Sequence, residues 1–262
     1  MPTQDPQLQT HIGRRHSGLP NLAHGGYVAG VMANAVGGDT VEVRLKRPVP
    51  TGNTLTLERG DRGRVELRDG DMALAQARPA TLSLDLPSPV SLAEAQAASR
   101  RFLGHEGRHP FPDCLVCGTG RAHGDGLHIF TGPVAGRPLV AGVWVPAPEH
   151  APDGDRVSSE LVWAALDCPQ LWALIADAPP ASNERAVTGG LTARIEHPVT
   201  VGEPHVVIGW PIGREDRTLL AGAAVLGPRG ELCAIGRQVA VLTSWGVPLG
   251  RHHLQAPAAQ AA

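Results

Sequence analysis

The chain has 262 residues and a formal net charge of −2, with 23 lysine and arginine residues against 25 aspartate and glutamate residues. This length accommodates one large domain or two small ones, with enough material for a sizeable core. The near-neutral charge provides no field that would attract nucleic acid or an anionic membrane surface, so we expect no nucleic-acid partner.

The sequence also lacks targeting and membrane-spanning signals. Residues 1–10 are polar and contain no apolar stretch of the kind that a secretory signal needs. No segment approaches the roughly 18 consecutive apolar residues of a transmembrane helix. Four cysteines in a chain of this size do not form a disulfide framework. The sequence therefore predicts a cytoplasmic protein without a membrane span.

One helix and four strands are predicted in the first third of the chain. Residues 24–36 are small and apolar at helical spacing, and Gly37 ends this helix. Residues 40–47 alternate between apolar and polar side chains, which predicts a half-buried strand. Three further short strands, separated by turns rich in Gly and Asp, are predicted over 54–58, 64–68 and 72–77.

Residues 86–157 form a predicted connecting segment, with a short amphipathic helix over 92–103 and a loop rich in Gly, His and Cys after it. Its H-E-G-R-H string at 105–109 belongs on a continuous helix in a metalloprotease. Gly and Pro residues within and beside the string oppose such a helix, so we predict no catalytic metal. A structural zinc site with Cys114 and Cys117 stays open. Its further ligand would be one of His105, His109 or His123.

The second part of the chain repeats the first. Residues 47–53 read RPVPTGN and residues 197–203 read HPVTVGE, so a Pro-Val pair and a glycine recur with an offset of 150. Gly70 and Gly230 are a second match in the same order. An internal repeat predicts two copies of one structural unit. The second copy has a predicted helix over 161–176 and predicted strands over 188–196, 204–210, 217–226 and 231–242.

The repeated plan predicts the fold class. A helix followed by an antiparallel meander is the plan of a hotdog half, and its sheet leaves an open edge that a second copy can pair with. The sequence therefore predicts an α+β double hotdog, with an N-terminal half over 11–85 and a C-terminal half over 158–245 fused as a pseudo-dimer. Residues 246–262 are predicted to form a flexible tail.

The first candidate site lies at the start of the first helix, where His24, Gly25, Gly26 and Tyr27 follow one another. A helix N-terminus presents unpaired backbone N–H groups and a partial positive charge. Two glycines there remove the side chains that would keep a carbonyl group away. We expect this segment to bind substrate, with the N–H groups of Gly26 and Tyr27 donating to an oxyanion. A tight loop that enters a buried helix is the alternative interpretation.

Asp167 is the unusual residue of the second predicted helix, within the segment VWAALDCP. A carboxylate in an apolar helix costs free energy unless it is paired or used in chemistry. The alternative is an Asp that faces solvent ahead of a kink at Pro169. Cys168 follows directly and is a candidate nucleophile. Because a neighbouring carboxylate raises the pKa of a thiol, a buried structural cysteine is favoured.

With these residues the sequence resembles the bacterial acyl-CoA thioesterase II family, the double-hotdog thioesterases. The first helix of that family begins with a G-G-x-x-x-G segment, and Gly25, Gly26 and Gly30 are similar. The second helix of the family carries a catalytic Asp after a small apolar run, and Asp167 stands at that position.

Two further positions of that family have counterparts in this chain. A Thr stands ten residues before a Pro, as Thr188 does before Pro198. A Gln stands eight residues after a hairpin Gly, as Gln238 does after Gly230. The resemblance implies that Asp167 is a general base and that Thr188 and Gln238 orient the water that it activates.

The resemblance, which covers about 20–85 and 158–243, implies a thioester hydrolase that converts an acyl-CoA or acyl-carrier thioester to free acid and thiol. It implies no cofactor, and it is compatible with a homo-oligomer of double-hotdog units. Two other functions stay open. An acyl-thioester hydratase or dehydratase would recruit Asp167 with His24 or His197, and a non-catalytic acyl-binding protein would share the fold without the chemistry.

Overall fold

The structure of the chain is a computed structural model that describes residues 8–105, 109–181 and 184–244. In those ranges it contains three α-helices, of which α1 spans Gly25–Val36, α2 Leu92–Ser99 and α3 Ser159–Asp177. None of these helices is both long and apolar enough to cross a lipid bilayer. The predicted flexible tail, 246–262, lies outside the described residues.

Most strands belong to one antiparallel sheet. The strands are, in chain order, β1 (Leu8–His11), β2 (Ser17–Leu19), β3 (Leu22–Ala23), β4 (Thr40–Leu45), β5 (Thr54–Arg59), β6 (Val65–Asp69), β7 (Met72–Pro79), β8 (Gly132–Pro133), β9 (Val140–Trp144), β10 (Glu184–Ile195), β11 (His205–Glu215), β12 (Thr218–Leu226) and β13 (Leu232–Ser244). Eleven of them form the sheet in the order β1-β5-β6-β7-β4-β10-β13-β12-β11-β9-β8, and β2 pairs with β3 in a separate ribbon.

The two halves of the sheet have the same topology. The order β1-β5-β6-β7-β4 in the first half is matched by β9-β11-β12-β13-β10 in the second. The halves join where β4 pairs antiparallel with β10, with Val43 opposite Leu191 and Val41 opposite Ala193. All four of these side chains are buried, so apolar cross-strand contacts stabilise the joint. The predicted double hotdog, in which two fused halves pair edge to edge, is confirmed.

Helices α1 and α3, one from each half, pack against the sheet and against each other. Val28 and Met32 of α1 and Leu166 of α3 are buried in one apolar core that contains residues of both halves. The amphipathic strands supply the other side of this core, because their apolar side chains alternate onto one face. The fold therefore places the start of α1 beside the middle of α3.

Two glycines set the separation of α1 and α3. A Cβ atom at Gly26 would lie 2.9 Å from the Cα atom of Ala164, and one at Gly30 would lie 2.5 Å from the Cα atom of Glu160. Since position 26 faces 164 and position 30 faces 160, the two helices run antiparallel. Carbon atoms do not approach this closely, so any larger residue would push the helices apart.

The connecting segment differs from its prediction in two places. Helix α2 ends at Ser99 rather than at 103, because the N–H groups of Arg101 and Phe102 bond to carbonyl groups three residues back and close a tight turn. Strands β8 and β9 both lie within the predicted connection, where β9 pairs with β11 and the short β8 pairs with β9 at the edge of the second half. The sheet of the second half therefore also uses residues before 158.

The joint between β4 and β10 leads to a prediction for an isolated first half. A fragment of residues 1–85 lacks β10, so β4 becomes an unpaired edge, and the surface of α1 that contacts α3 becomes exposed. We expect this fragment to be insoluble or to self-associate, which size-exclusion chromatography beside the full chain would measure. A monomeric fragment with a cooperative melting transition would show that the first half does not depend on the second.

Candidate active site

A buried carboxylate lies at the centre of the candidate site. Asp167, on α3, is only 2 % exposed. Its Oδ1 atom accepts a hydrogen bond of 2.7 Å from the Thr188 hydroxyl and another from the Gln238 amide. Its Oδ2 atom accepts one of 2.6 Å from the backbone N–H of Gly26. These donors offset the cost of burying the carboxylate, and the alternative of a solvent-facing Asp167 is excluded.

A β-bulge turns Thr188 toward this carboxylate. Along β10, Leu191 faces the core, and strict alternation would put position 188 on the opposite face. The pairing with β13 shifts register between Thr188 and Gly190, so Gly189 is the extra residue. Such a bulge reverses the alternation and re-aims the side chains that precede it. Thr188 consequently faces α3 and contacts Asp167.

Gln238 completes the group from β13, where it lies opposite Leu191 and is fully buried. Its Nε2 atom donates to Asp167 and, at 3.1 Å, to the Thr188 hydroxyl oxygen. These two bonds fix the orientation of the amide. The Gln238 Oε1 atom is also buried, and it has no hydrogen-bond partner among the described residues. A buried acceptor of this kind is suited to bind a donor such as water.

The glycine pair allows the start of α1 to approach the carboxylate. A Cβ atom at Gly25 would lie 3.1 Å from Asp167 Oδ2, and one at Gly26 would lie 2.7 Å from Asp167 Cβ. The first bond within the helix runs from the Val28 N–H to the His24 carbonyl. The N–H groups at 25, 26 and 27 therefore have no partner in the helix. The Gly26 N–H donates to Asp167. Of the two N–H groups expected to bind an oxyanion, only that of Tyr27 is therefore left for this role.

His24 and Tyr27 have different surroundings. His24 is 3 % exposed, and its Nε2 atom lies 3.2 Å from the Cys168 sulfur while its Nδ1 atom lies 3.7 Å from Asp167 Oδ2. Burial opposes a charge on His24, but Cys114 and Asp167 together outweigh burial and raise the pKa of the ring. Tyr27 is partly exposed, and its ring stacks on that of His16 at 4.0 Å.

A group of thiols lies behind His24. The sulfur atoms of Cys114 and Cys168 are 3.7 Å apart, as are those of Cys114 and Cys117. Hydrogen bonds from Cys117 and Cys168 hold the pKa of the Cys114 thiol well below its ordinary value. Hydrogen bonding to Cys114 in turn raises the pKa of Cys168. A buried thiol with a raised pKa is a poor nucleophile, which argues against covalent catalysis by Cys168.

Other histidines of the sequence analysis lie apart from Asp167. His197 is exposed and its ring contacts the carbonyl of Leu232. His105, in a turn rather than a helix, contacts the carbonyl of Ser99, and His109 contacts Cys117. Residues 106–108 of the H-E-x-x-H string lie outside the described residues.

One cleft of the described surface lies away from the carboxylate. It has a volume of about 230 Å³ and is lined by residues of the segments 14–21 and 110–113 and by Thr51. Asp167, Thr188 and Gln238 are not among its lining residues. Hydrogen-bond geometry rather than concavity determines where a reacting carbonyl can be attacked, so the buried polar group is the candidate active site.

Comparisons with known proteins bear on the fold. No family model matches the chain, and no curated protein matches it significantly. Among solved structures, the chain is similar to the tesB protein of Mycobacterium avium subsp. paratuberculosis, with a TM-score of 0.58 and 13% identity over 90% of this chain and 92% of that one. A proposed thioesterase from Novosphingobium aromaticivorans has a TM-score of 0.61 and 11% identity over 92% and 98%.

A third similar structure is a protein of unknown function with a hot dog fold from Alicyclobacillus acidocaldarius. It has a TM-score of 0.57 and 12% identity, over 91% of this chain and 93% of that one. Each of the three similarities extends over both halves of the chain. At these identities they establish the hotdog fold, and the chemistry has to be argued from the site.

Proposed function

We propose that the chain is a thioester hydrolase, which converts an acyl-CoA or acyl-carrier thioester to free acid and thiol. The observation that carries the proposal is the buried Asp167 carboxylate, which Thr188 and Gln238 contact from two neighbouring strands of the sheet. A carboxylate held in this way is suited to take a proton from water. The thioesterase description of the Novosphingobium aromaticivorans protein, which has a similar fold, supports the same reaction class.

The proposed reaction begins with a water that donates to Asp167 and to Gln238 Oε1, the buried acceptor without a described partner. Its oxygen attacks the carbonyl carbon of the thioester, and its proton passes to Asp167. The Tyr27 N–H, at the positive end of α1, stabilises the oxyanion that forms. When the carbon–sulfur bond breaks, the departing thiolate takes the proton back from Asp167.

The two halves of the fold contribute different parts to this reaction. The base and the residues that orient the water come from the second half, and the helix N-terminus comes from the first. Gly25, Tyr27 and Thr188 are the partly exposed residues of the group, so the substrate would approach along them. His24 is buried behind the glycines, and it would support the helix start rather than contact the acyl chain.

The hydratase alternative fits the geometry less well. Such an enzyme needs a histidine and a carboxylate that face one substrate carbon. His24 is near Asp167, but its Nε2 atom contacts Cys168 inside the core, and His197 is exposed elsewhere. A non-catalytic acyl-binding protein would have no need for a buried carboxylate with three donors.

Release of free thiol from a panel of acyl-CoA and acyl-carrier thioesters of different chain lengths tests the proposal. We expect thiol and free acid to form in equal amounts, faster than in buffer alone. Addition of water to a 2-enoyl thioester without thiol release would instead identify a hydratase. Binding of the panel without any turnover would identify a non-catalytic acyl-binding protein.

A further inference from the structure

Three cysteines and two histidines from distant parts of the chain meet in one buried group, beside the candidate active site. Cys114, Cys117, Cys168, His24 and His109 are all buried, and all four cysteines of the chain are free thiols. The nitrogen and sulfur atoms of His24, Cys114 and Cys168 lie within 4.8 Å of one another, and Cys117 lies at the edge of this trio, in contact with the Cys114 sulfur. Burying this many polar ligand atoms together costs free energy unless they share a partner.

Two sulfur–sulfur distances match those around a tetrahedral ion. Cys114 is 3.7 Å from Cys168 and 3.7 Å from Cys117, and two sulfur ligands about 2.3 Å from a tetrahedral zinc ion lie about 3.8 Å apart. The His24 Nε2 atom lies 3.2 Å from the Cys168 sulfur, near the nitrogen–sulfur edge of about 3.5 Å that the same geometry requires.

Hydrogen bonds distinguish the two histidines. The backbone N–H of Phe111 donates to Nδ1 of His109 at 2.9 Å, so in the neutral ring Nε2 carries the hydrogen. His109 Nε2, 3.1 Å from the Cys117 sulfur, therefore donates to that sulfur and has no lone pair for a metal. His24 has the opposite arrangement. No donor within the described part of the chain contacts its Nδ1 atom, which faces Asp167 Oδ2 at 3.7 Å. In the neutral ring Nδ1 can therefore carry the hydrogen, and Nε2 then has the lone pair that a metal needs.

We propose that Cys114, Cys117, Cys168 and His24 bind one structural zinc ion. Three thiolates and one imidazole in tetrahedral arrangement are a ligand set that zinc prefers, and a site with four protein ligands leaves no open position for catalysis. This proposal does not depend on the hydrolytic activity. The sequence pattern alone pointed to Cys114 and Cys117, whereas Cys168 and His24 follow only from the fold.

The surroundings of the four ligands match those of metal sites. Metal-bound histidines usually direct their second nitrogen toward a carboxylate or a carbonyl group. His24 Nδ1 is 3.7 Å from Asp167 Oδ2, so the zinc ion would hold the ring next to the catalytic carboxylate. The Cys114–Cys117 turn closes with a bond from the Gly118 N–H to the Cys114 carbonyl. A Cβ atom at Gly118 would lie 2.4 Å from that oxygen, so the turn requires glycine.

Zinc binding would join three segments that are far apart in the sequence. Cys114 and Cys117 belong to the connecting segment, His24 precedes α1, and Cys168 lies on α3. One ion would therefore anchor the connection to the helices of both halves, at the point where Gly26 meets Asp167. This arrangement gives the Gly-, His- and Cys-rich connection a structural purpose.

Metal analysis of the full chain tests the proposal. The chain is purified in reducing buffer without a polyhistidine tag or chelator, and we expect about one zinc ion per chain by mass spectrometry of the metal. Cobalt substituted for zinc should give strong visible bands of tetrahedral cobalt and a sulfur-to-cobalt charge-transfer band in the near ultraviolet. This spectrum is measured on the unaltered sequence, so it does not depend on how well any variant folds.

Variants assign the ligands. Cys117→Ser should lower the zinc content to below about 0.2 per chain, and His24→Ala should remove zinc or weaken its binding more than tenfold. Cys233→Ser is the matched control, because Cys233 is a buried free cysteine outside the group, and it should retain zinc. His109→Asn should retain zinc as well. Loss of zinc in His109→Asn with retention in His24→Ala would overturn the assignment of His24.

Three results would overturn the zinc site as a whole. One is a reduced chain that contains no zinc and takes up neither zinc nor cobalt. Another is about one equivalent of a different metal that zinc cannot displace. The third is a disulfide between two of the three cysteines in chain purified under reducing conditions, detected by mass spectrometry after thiol alkylation.

Discussion

Substitution of Asp167 by Asn should lower kcat by roughly 10²–10⁴-fold while KM changes little, because loss of a general base affects the transition state and not substrate binding. Asn is nearly identical in shape to Asp, and its amide oxygen can still accept the hydrogen bond that Thr188 donates. Its amide nitrogen cannot accept the hydrogen bond from the Gly26 N–H, and the amide cannot take a proton from water. A melting curve beside that of the unaltered chain separates these two effects. Steady-state thiol release, with the best substrate of the acyl panel, measures the effect.

The matched control is Asp177→Asn, which makes the same chemical change at an exposed position of the same helix. We expect it to leave kcat within about twofold, as is usual for surface substitutions.

Thr188→Val and Gln238→Ala should lower kcat less than Asp167→Asn, since both residues only orient the water. In a double variant with Asp167→Asn, each of these substitutions should lower kcat by a smaller factor than it does alone, because all three residues act on one water. Full activity in Asp167→Asn would refute the general-base mechanism.

Substitution of Gly30 by Val should destabilise the whole fold. A Cβ atom at this position would lie 2.5 Å from the Cα atom of Glu160, and a backbone atom cannot move aside as a flexible side chain can. Overpacking that lowers the free energy of unfolding by about 3 kcal/mol corresponds to a fall in Tm of roughly 6–12 °C for a domain of this size. Calorimetry or circular dichroism would measure this fall. Val is a better helix former than Gly by only about 0.3 kcal/mol, which is too little to offset the clash.

Gly13→Val is the control for this experiment. A Cβ atom at Gly13 has no heavy atom within 4 Å, and its φ of −66° is accessible to any residue. We expect a change in Tm of less than about 2 °C. Gly30→Val should also lower kcat, because separation of α1 from α3 moves the Gly26 N–H away from Asp167. An unchanged Tm in Gly30→Val would mean that the two helices can separate without cost, contrary to the packing described above.

The fold was predictable to the extent that it depends on local patterns. Alternating side chains identified the strands of both halves, and small apolar residues before Gly37 identified α1, since periodicity reflects which face is buried. The internal repeat indicated two equivalent units. The matching outer strands β1 and β9 were not predicted, because their positions depend on the edges of β5 and β11, which are distant in sequence, rather than on patterns of their own.

The candidate site was predictable only through a resemblance. Asp167 is conspicuous by itself as a carboxylate in an apolar helix, but nothing local connects it with Thr188 or Gln238. The bulge at Gly189, which turns Thr188 inward, arises from a register shift against β13. Register depends on pairing between strands, so a local pattern does not reveal it.

By itself, the sequence determined most helices and strands of each half, the number of halves and the presence of one unusual acid in an apolar helix. These properties depend on residues that are neighbours along the chain. Only the tertiary structure decided which polar groups meet. Cys168 lies 54 residues from Cys114 and 144 from His24, and their contact requires the close approach of α1 and α3. That approach is possible because Gly26 and Gly30 have no side chains. The spacing of the two glycines does not reveal which helix packs against them, so the contact with α3 is known only from the tertiary structure.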